Sequence, residues 1–474
     1  FFLVMDVMDK QILTETLCDS DMEPVKRRNT NDTDSGSLLE PAKPPKVYYL
    51  LEKLYWLQPV IVLSMTIFST YMQYLNNKVE YDAGTPSFSW LHVFWLVPLP
   101  YVLIGFWGTC LPYKREKRPE GQAPREYNRF FILVCTRGIN DDAVQRTFDA
   151  IHCLEDPEKN IFVKIITEER YPLPNIPESN KILLPTDYVC AKAKYKARAL
   201  EYFRFHMNLI DNDFVYHMDE ESIISRYELN SALDFVRNTT HDMGQGLILY
   251  NAWNFYKGAG LQGILCNVCD NIRLGDDLGR FHLQYSNWHK SYFGCHGSNI
   301  LVSGRLTNKV TWDNDSLTED FFFAIRGREA GFTCGHIEGF CREQSPDNIH
   351  DLMKQRRRWF LGISRSGDLH ARIHTFFWLI GSVACFLTLI NIFLSQVTHP
   401  LWAVAIFAFI YSFFIVIYVT ATLLQTIDAG YPVWKVILTV IFVIFIQPIC
   451  AFVESLSIFY AVISPVKTFD VIRK

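Results

Sequence analysis

The stretch Tyr216-His217-Met218-Asp219-Glu220-Glu221-Ser222 runs an apolar strand pattern straight into three carboxylates. Like charges this close repel unless a cation holds them. Asp219 and Glu221, one residue apart, can reach the same point from a turn. Their hard oxygens suit Mg2+ or Mn2+, an ion that bridges protein carboxylates to phosphate. A solvated acidic turn capping a helix would look the same, and this stretch alone does not separate the two. Leu317-Thr318-Glu319-Asp320-Phe321 reads first as a helix start, with Thr318 as cap and two acids in the first turn. It reads second as a general base, a carboxylate that takes a proton from a hydroxyl. Gln355-Arg356-Arg357-Arg358-Trp359 precedes an apolar segment. It would serve as an interfacial anchor, or would hold a diphosphate with arginine and a sugar face with Trp359. Tyr195-Lys196-Ala197-Arg198 offers two cations to phosphate or to solvent. In Phe293-Gly294-Cys295-His296-Gly297-Ser298-Asn299, the glycines allow either close backbone approach to a ligand or a plain turn.

The elements that must position these residues alternate. Short apolar runs at Phe130 to Cys135, Ile161 to Ile166, Phe214 to Met218 and Leu247 to Tyr250 are separated by polar segments of helical length. That pattern predicts an α/β domain with a mostly parallel, Rossmann-like sheet. The first three runs end in polar or charged residues, and ligands of open α/β sheets sit beyond the carboxyl ends of the strands.

The chain has 474 residues, 49% hydrophobic, 15% aromatic and 20% charged, with a net charge of −4. The apolar excess fits a protein part lipid-facing and part aqueous. The charge gives no electrostatic argument for a nucleic-acid partner. The 12 cysteines are scattered and form no disulfide framework. Cys266-Asn267-Val268-Cys269 reads as structural thiols ahead of a zinc or redox site. Residues 1–46 are a polar tail of disordered composition. Residues 47–113 hold two apolar stretches, Leu54 to Leu75 and Phe88 to Tyr113, each near the roughly 20 residues that cross a bilayer. The first starts too late and runs too long for a signal peptide. Residues 114–368 form the aqueous domain. Residues 369–474 hold three further stretches, Thr375 to Val397, Leu401 to Ile427 and Val436 to Ile463, then a short tail. Pro448 and Glu454 predict a kink or an interfacial position in the last. Lys114, Arg115, Lys117, Arg118, Arg125 and Arg129 at one junction and Arg356, Arg357, Arg358 and Arg365 at the other put the domain on the cytosolic side. Sequons at Asn31, Asn238 and Asn314 then read as chance matches.

In order and combination, the motifs resemble those of the processive-type inverting glycosyltransferases of family two, the group of cellulose, chitin and hyaluronan synthases. Those carry an acid after an early strand, a Lys-Ala-Gly-like helix start, an Asp-x-Asp-like metal motif, a Thr-Glu-Asp base and a Gln-x-x-Arg-Trp motif. The matching positions are Glu168, Lys196, Asp219 with Glu221, Thr318-Glu319-Asp320, and Gln355 with Arg358-Trp359. Gly297-Ser298 looks like the Gly-Ser of a Phe-Phe-Cys-Gly-Ser motif. Val163 to Glu168, Lys196 to Leu200, His217 to Glu221, Gly244 to Ile248, Ile337 to Gly339, Gln355 to Trp359 and the tail Lys467 to Val471 are similar to the egghead family, membrane β-1,4-mannosyltransferases. The first acid, usually Asp, is Glu168 here, and His296 stands where that family tends to have Lys.

The resemblance implies a glycosyltransferase-A type domain and one-step inverting transfer. Asp320 would be the base, and Glu168, Lys196, Asp219 and Arg358 would bind the donor. Trp359, Gly297, Ser298 and Glu319 would face the acceptor, and Asp219 and Glu221 would hold Mn2+ or Mg2+. Gln355 and Thr318 complete the motifs. The implied donor is GDP-mannose and the implied acceptor a membrane glycolipid such as glucosylceramide. The implied location is the Golgi or endoplasmic reticulum, with the plasma membrane as the alternative; oligomeric state stays open. Two other readings stand beside this one: a polysaccharide synthase using a UDP-sugar, and a non-catalytic transporter, for which Asp320 would have no use.

Overall fold

The computed structural model describes residues 45–88, 92–113, 116–118, 120–252, 260–394 and 398–466. Nearly all of the expected tail 1–46, including Asn31, lies outside them, as do Lys114, Arg115 and Lys467 to Val471.

Seven strands form one sheet: β1 (Phe130–Cys135), β2 (Ile161–Glu168), β3 (Lys181–Leu184), β4 (Phe214–Met218), β5 (Met243–Leu249), β6 (Ile300–Ser303) and β7 (Cys334–Arg342), in the order β3-β2-β1-β4-β6-β5-β7. Only β6 runs antiparallel to its neighbours, so the sheet is mostly parallel, as expected. All six residues of β1 are buried, which is why it reads as an unbroken apolar run. Its side chains divide with the period of two: Phe130, Ile132 and Val134 enter one core and Phe131, Leu133 and Cys135 the other. β3 has four residues of alternating burial, and β5 reaches its apolar run at Leu247 only after Met243-Gly244-Gln245-Gly246. A Cβ on Gly244 would sit 2.7 Å from Ile337 Cδ1 of β7, so the glycine lets these strands and their packing close up.

In chain order the helices that matter to the site are α1 (Lys46–Leu54), α2 (Leu57–Asn76), α3 (Leu99–Thr109), α4 (Asp141–Ile151), α5 (Tyr195–His206), α6 (Arg226–Asn238), α7 (Leu261–Asp276), α8 (Glu319–Glu329), α9 (Ile349–Ser364), α10 (Leu369–Leu394), α11 (Leu401–Asp428) and α12 (Val433–Ile463). Side chains of α4 and α6 complete one core, and those of α5 and α8 the other. A Ser225–Glu228 capping box starts α6, satisfying backbone donors the helix leaves open.

Among the described residues, three helices are long and apolar enough to cross a membrane, on α10, α11 and α12, or up to four if the bent pair α1–α2 is one span. Within the expected segment Phe88 to Tyr113, the apolar helix covers only Val93–Thr109, broken near Pro98. At 1.5 Å per residue that is about 25 Å, short of the roughly 30 Å hydrocarbon core. α12 runs through Pro448 as one helix of 31 residues. Glu454 is not left to seek the interface, because Arg356 of α9 donates to it at 2.9 and 3.0 Å.

The long apolar helices and the sheet are locked together. Arg342 at the end of β7 donates twice to Asp428 at the end of α11, at 2.7 and 2.8 Å. The Tyr250 N–H donates to Gln425 of α11 at 2.7 Å. A Cβ on Gly108 of α3 would lie 1.8 Å from the Gly279 carbonyl, so these backbones touch only because the residue is glycine.

Candidate active site

The sheet order reverses direction between β1 and β4, and the crevice beyond their carboxyl ends is where an α/β sheet receives a ligand. β1 ends there at Thr136-Arg137, β2 at Glu168, β4 at Asp219 and β7 at Glu343. Glu168 accepts from Arg137 at 3.3 Å and Arg170 at 2.6 Å. The three acids after β4 divide. Glu220 is held by the Thr136 hydroxyl and by Asn140 Nδ2 at 2.5 Å. Asp219 and Glu221 turn instead toward Glu343, and one carboxylate oxygen from each of the three lies within 4.8 Å of the other two. Three converging oxygens, two of them on buried residues, fit a hard divalent cation. Glu343 is the member the sequence did not reveal. It stands alone after a strand whose residues, Cys334-Gly335-His336-Ile337-Glu338, have no clear strand pattern; its one signal is a carboxylate at a strand's carboxyl end.

Lys196, in the first turn of α5, reaches into the same place. It is ion-paired with Asp219, donates to the Gly297 carbonyl at 3.3 Å, and lies 3.9 Å from Glu319. Burial alone would pull its pKa down, but Asp219 and Glu319 outweigh burial and hold it above the ordinary lysine range. A Cβ on Gly297 would sit 2.9 Å from Asp320 Oδ2 and 3.1 Å from Lys196 Nζ. Gly297 is thus where backbone passes against the two charged groups.

The first turn of α8 holds Glu319 and Asp320. Thr318 does not cap it with its side chain; its hydroxyl lies 3.3 Å from Ser316 Oγ, and Gly362 of α9 packs on it. Asp320 Oδ1 accepts the Phe321 N–H at 2.8 Å, an anion at a helix N-terminus. Glu319 is pushed up to about 7, by burial first and by Asp320 second, against the pull of Lys196 and Arg358.

α9 separates its three arginines by role. Arg356 is buried and donates to Asp270 at 2.7 Å, to Glu454, and to Gln355 Oε1 at 2.7 Å. Arg357 lies over the Tyr460 ring at 4.2 Å. Arg358 lines the crevice. Trp359 is flanked by Arg273 at 4.5 Å and Arg356 at 4.6 Å, ring against guanidinium.

One cavity of about 950 Å3 gathers these groups. Glu168, Lys196, Asp219, Glu221, Gly297, Thr318, Glu319, Asp320, Gln355, Arg358 and Trp359 all line it, with Glu343. The cavity continues between the apolar helices, past Trp95, Tyr101, Phe407, Tyr411, Phe414 and Pro448. Of the residues expected at the site, Ser298 does not line it. Its hydroxyl is buried 2.9 Å from Ser222 Oγ, where it braces the turn after β4 rather than facing an acceptor. His296 lies against Asp277 at 2.5 Å. Cys266 and Cys269 are buried in the apolar contact between α7 and the long apolar helices. Asn314 is buried and hydrogen-bonded through its side chain, a placement without room for a glycan.

The description "Glycosyl transferase family group 2" matches residues 214–453. The β-1,4-mannosyltransferase egh of Drosophila melanogaster is 31% identical over 278 residues, 56% of this chain and 59% of that protein. The β-1,4-mannosyltransferase bre-3 of Caenorhabditis elegans is 29% identical over 277 residues, 56% of this chain and 60% of that one. The chain thus spans about 60% of the length of the curated relatives it matches. The solved mannosyltransferase PcManGT from Pyrobaculum calidifontis, in complex with GDP-Man and Mn2+, superposes with a TM-score of 0.42 at 13% identity, covering 79% of this chain and 98% of that one. TarS of S. aureus in complex with UDP-GlcNAc superposes with a TM-score of 0.29 at 12% identity, covering 56% of this chain and 74% of that one.

Proposed function

The chain belongs to glycosyl transferase family group 2, and we propose that it transfers mannose from GDP-mannose, with inversion, onto a hydroxyl of a membrane glycolipid such as glucosylceramide. The observation that carries the acceptor class is the cavity, whose charged end holds Asp219, Lys196 and Asp320 and whose apolar end lies among membrane helices. A glycolipid is charged or polar at one end and apolar at the other, and would lie along that gradient. The donor follows the mannosyltransferase relatives.

In this reading Asp320 takes the proton of the acceptor hydroxyl as its oxygen bonds to the sugar's anomeric carbon. The anomeric carbon–phosphate oxygen bond breaks on the opposite side, and the diphosphate leaves with the electron pair. Glu168 contacts the nucleoside, Lys196 and Arg358 counter the leaving group's charge, and Trp359 orients the acceptor. Asp219, Glu221 and Glu343 would hold Mg2+ or Mn2+, which when bound neutralises the diphosphate. Gly297 leaves Asp320 and Lys196 room to approach the reacting atoms. Holding donor and acceptor together supplies much of the rate. The basic junctions support a cytosolic side for the domain, and the family resemblance favours a Golgi or endoplasmic reticulum membrane.

Thermal unfolding of the detergent-purified chain with Mn2+ and either GDP or UDP tests the donor. A nucleotide at about 100 times its Kd stabilises the fold by about 2.7 kcal/mol. Stabilisation by GDP and not UDP is expected; the reverse would favour the UDP-sugar synthase.

A further inference from the structure

We propose that Glu116, His241 and His289 form a second metal site, of zinc type, where the chain passes from α3 into the catalytic domain. One ligand atom from each lies within 4.8 Å of the others. Glu116 Oε2 is 3.0 Å from His241 Nε2, and the two imidazoles stack at 4.7 Å and 19°. A tetrahedral zinc with bonds of about 2.1 Å sets its ligand atoms about 3.4 Å apart, so binding draws these atoms together and turns the stacked imidazoles until their in-plane lone pairs converge.

The surroundings orient these groups as ligands. His289 Nδ1 donates to the Cys334 carbonyl at 3.1 Å and lies 4.0 Å from Glu116 Oε1, so its Nε2, which keeps the lone pair, reaches the ion once the ring turns. His241 Nδ1 lies 2.8 Å from Thr333 Oγ1 and can donate there, freeing its Nε2 toward Glu116. Fixing the far ring nitrogen in this way sets the tautomer of metal-bound histidines. Glu116 Oε1 accepts the His336 N–H at 3.1 Å. His289 is held at φ 51°, in the left-handed region, directly after a π-helical turn, and both features gather at functional places. Gly335 closes the floor: a Cβ there would sit 2.5 Å from Glu116 Oε1 and 2.7 Å from His241 Cδ2. The side chains are 20%, 13% and 36% exposed, so an ion can enter.

Two imidazoles and one carboxylate select a borderline-soft ion with a position left for water. The all-oxygen set at Asp219, Glu221 and Glu343 selects a hard one. The second site would pin the membrane-proximal linker at Glu116 to the starts of β5 and β7. It does not depend on the transferase reading.

The test strips the full-length chain in detergent with chelator, reloads it with Zn2+, desalts it and measures metal per chain by elemental mass spectrometry. About one zinc per chain is expected, together with a rise in unfolding temperature. His241→Ala and His289→Ala should each lose most of it, while Asp219→Asn retains it. If the alanine variants do not fold, Co2+ loaded into the native chain should give visible ligand-field bands that Glu116→Gln alters. No bound zinc and no cobalt bands in the native chain, or zinc retained by both histidine variants, would overturn the site.

Discussion

Replacing Arg356 by methionine should strongly destabilise the fold, whereas the same change at Arg358, two residues on, should leave stability native and slow turnover. Arg356 donates to Asp270 at 2.7 Å and to Glu454 at 2.9 and 3.0 Å, and both partners are largely shielded from water. Methionine fills similar volume but leaves Asp270 with Arg273 alone, at 3.8 Å, and removes the guanidinium that holds Glu454. Breaking a buried pair from one side costs about 3–5 kcal/mol, because a charge stays behind uncompensated. That is a large share of the roughly 5–15 kcal/mol by which folded domains are stable. The assay is the inactivation half-life in detergent together with the monodisperse fraction. Both should fall sharply in Arg356→Met and recover in the triple variant that adds Asp270→Asn and Glu454→Gln. Arg358→Met should keep the native half-life and lose turnover. A stable Arg356→Met, or a triple variant no better than the single, would refute the assignment of Arg356 to the joint between α7, α9 and α12.

Asp320→Asn should lower kcat by about 10²–10⁴-fold, the usual worth of a positioned base, while nucleotide affinity measured by thermal shift stays native. Glu343→Gln should raise the Mn2+ needed for half-maximal nucleotide stabilisation by about tenfold, the equivalent of 1.4 kcal/mol, because one of three converging oxygens is weakened. Glu319 carries a folded-state pKa of about 7, above its unfolded value of about 4.3. The fold therefore favours the protonated form. Its contribution is full below about pH 4.3 and is lost as pH rises through 7, by at most about 1.4 kcal/mol per unit. Urea unfolding should show that decline in the native chain, and Glu319→Gln should flatten it.

Motifs that are local in the chain were legible in the sequence. The apolar runs of β1, β2 and β4 end where their charged residues meet the crevice, and Asp219, Lys196, Asp320 and Trp359 all line one cavity. What was not legible depends on partners distant in sequence. Glu220 looks identical to its neighbours until Thr136, just after β1, and Asn140, at the start of α4, turn it aside. The run Arg356-Arg357-Arg358 gives no sign that its first member is consumed by Asp270 and Glu454. Ser298 belongs to a recognisable motif, yet Ser222 draws its hydroxyl away from the cavity. β6 is invisible because its four residues follow a glycine-rich turn and return antiparallel, against the pattern of their neighbours.

Transfer itself is the most direct test of the central claim. The purified full chain, with Mn2+ and glucosylceramide in mixed micelles, is given either GDP-[14C]mannose or labelled UDP-sugars. Label from GDP-mannose that partitions into organic solvent, and disappears in Asp320→Asn, is the expected result. Water-soluble polymer built from a UDP-sugar, with no lipid-extractable label from GDP-mannose, would contradict the account.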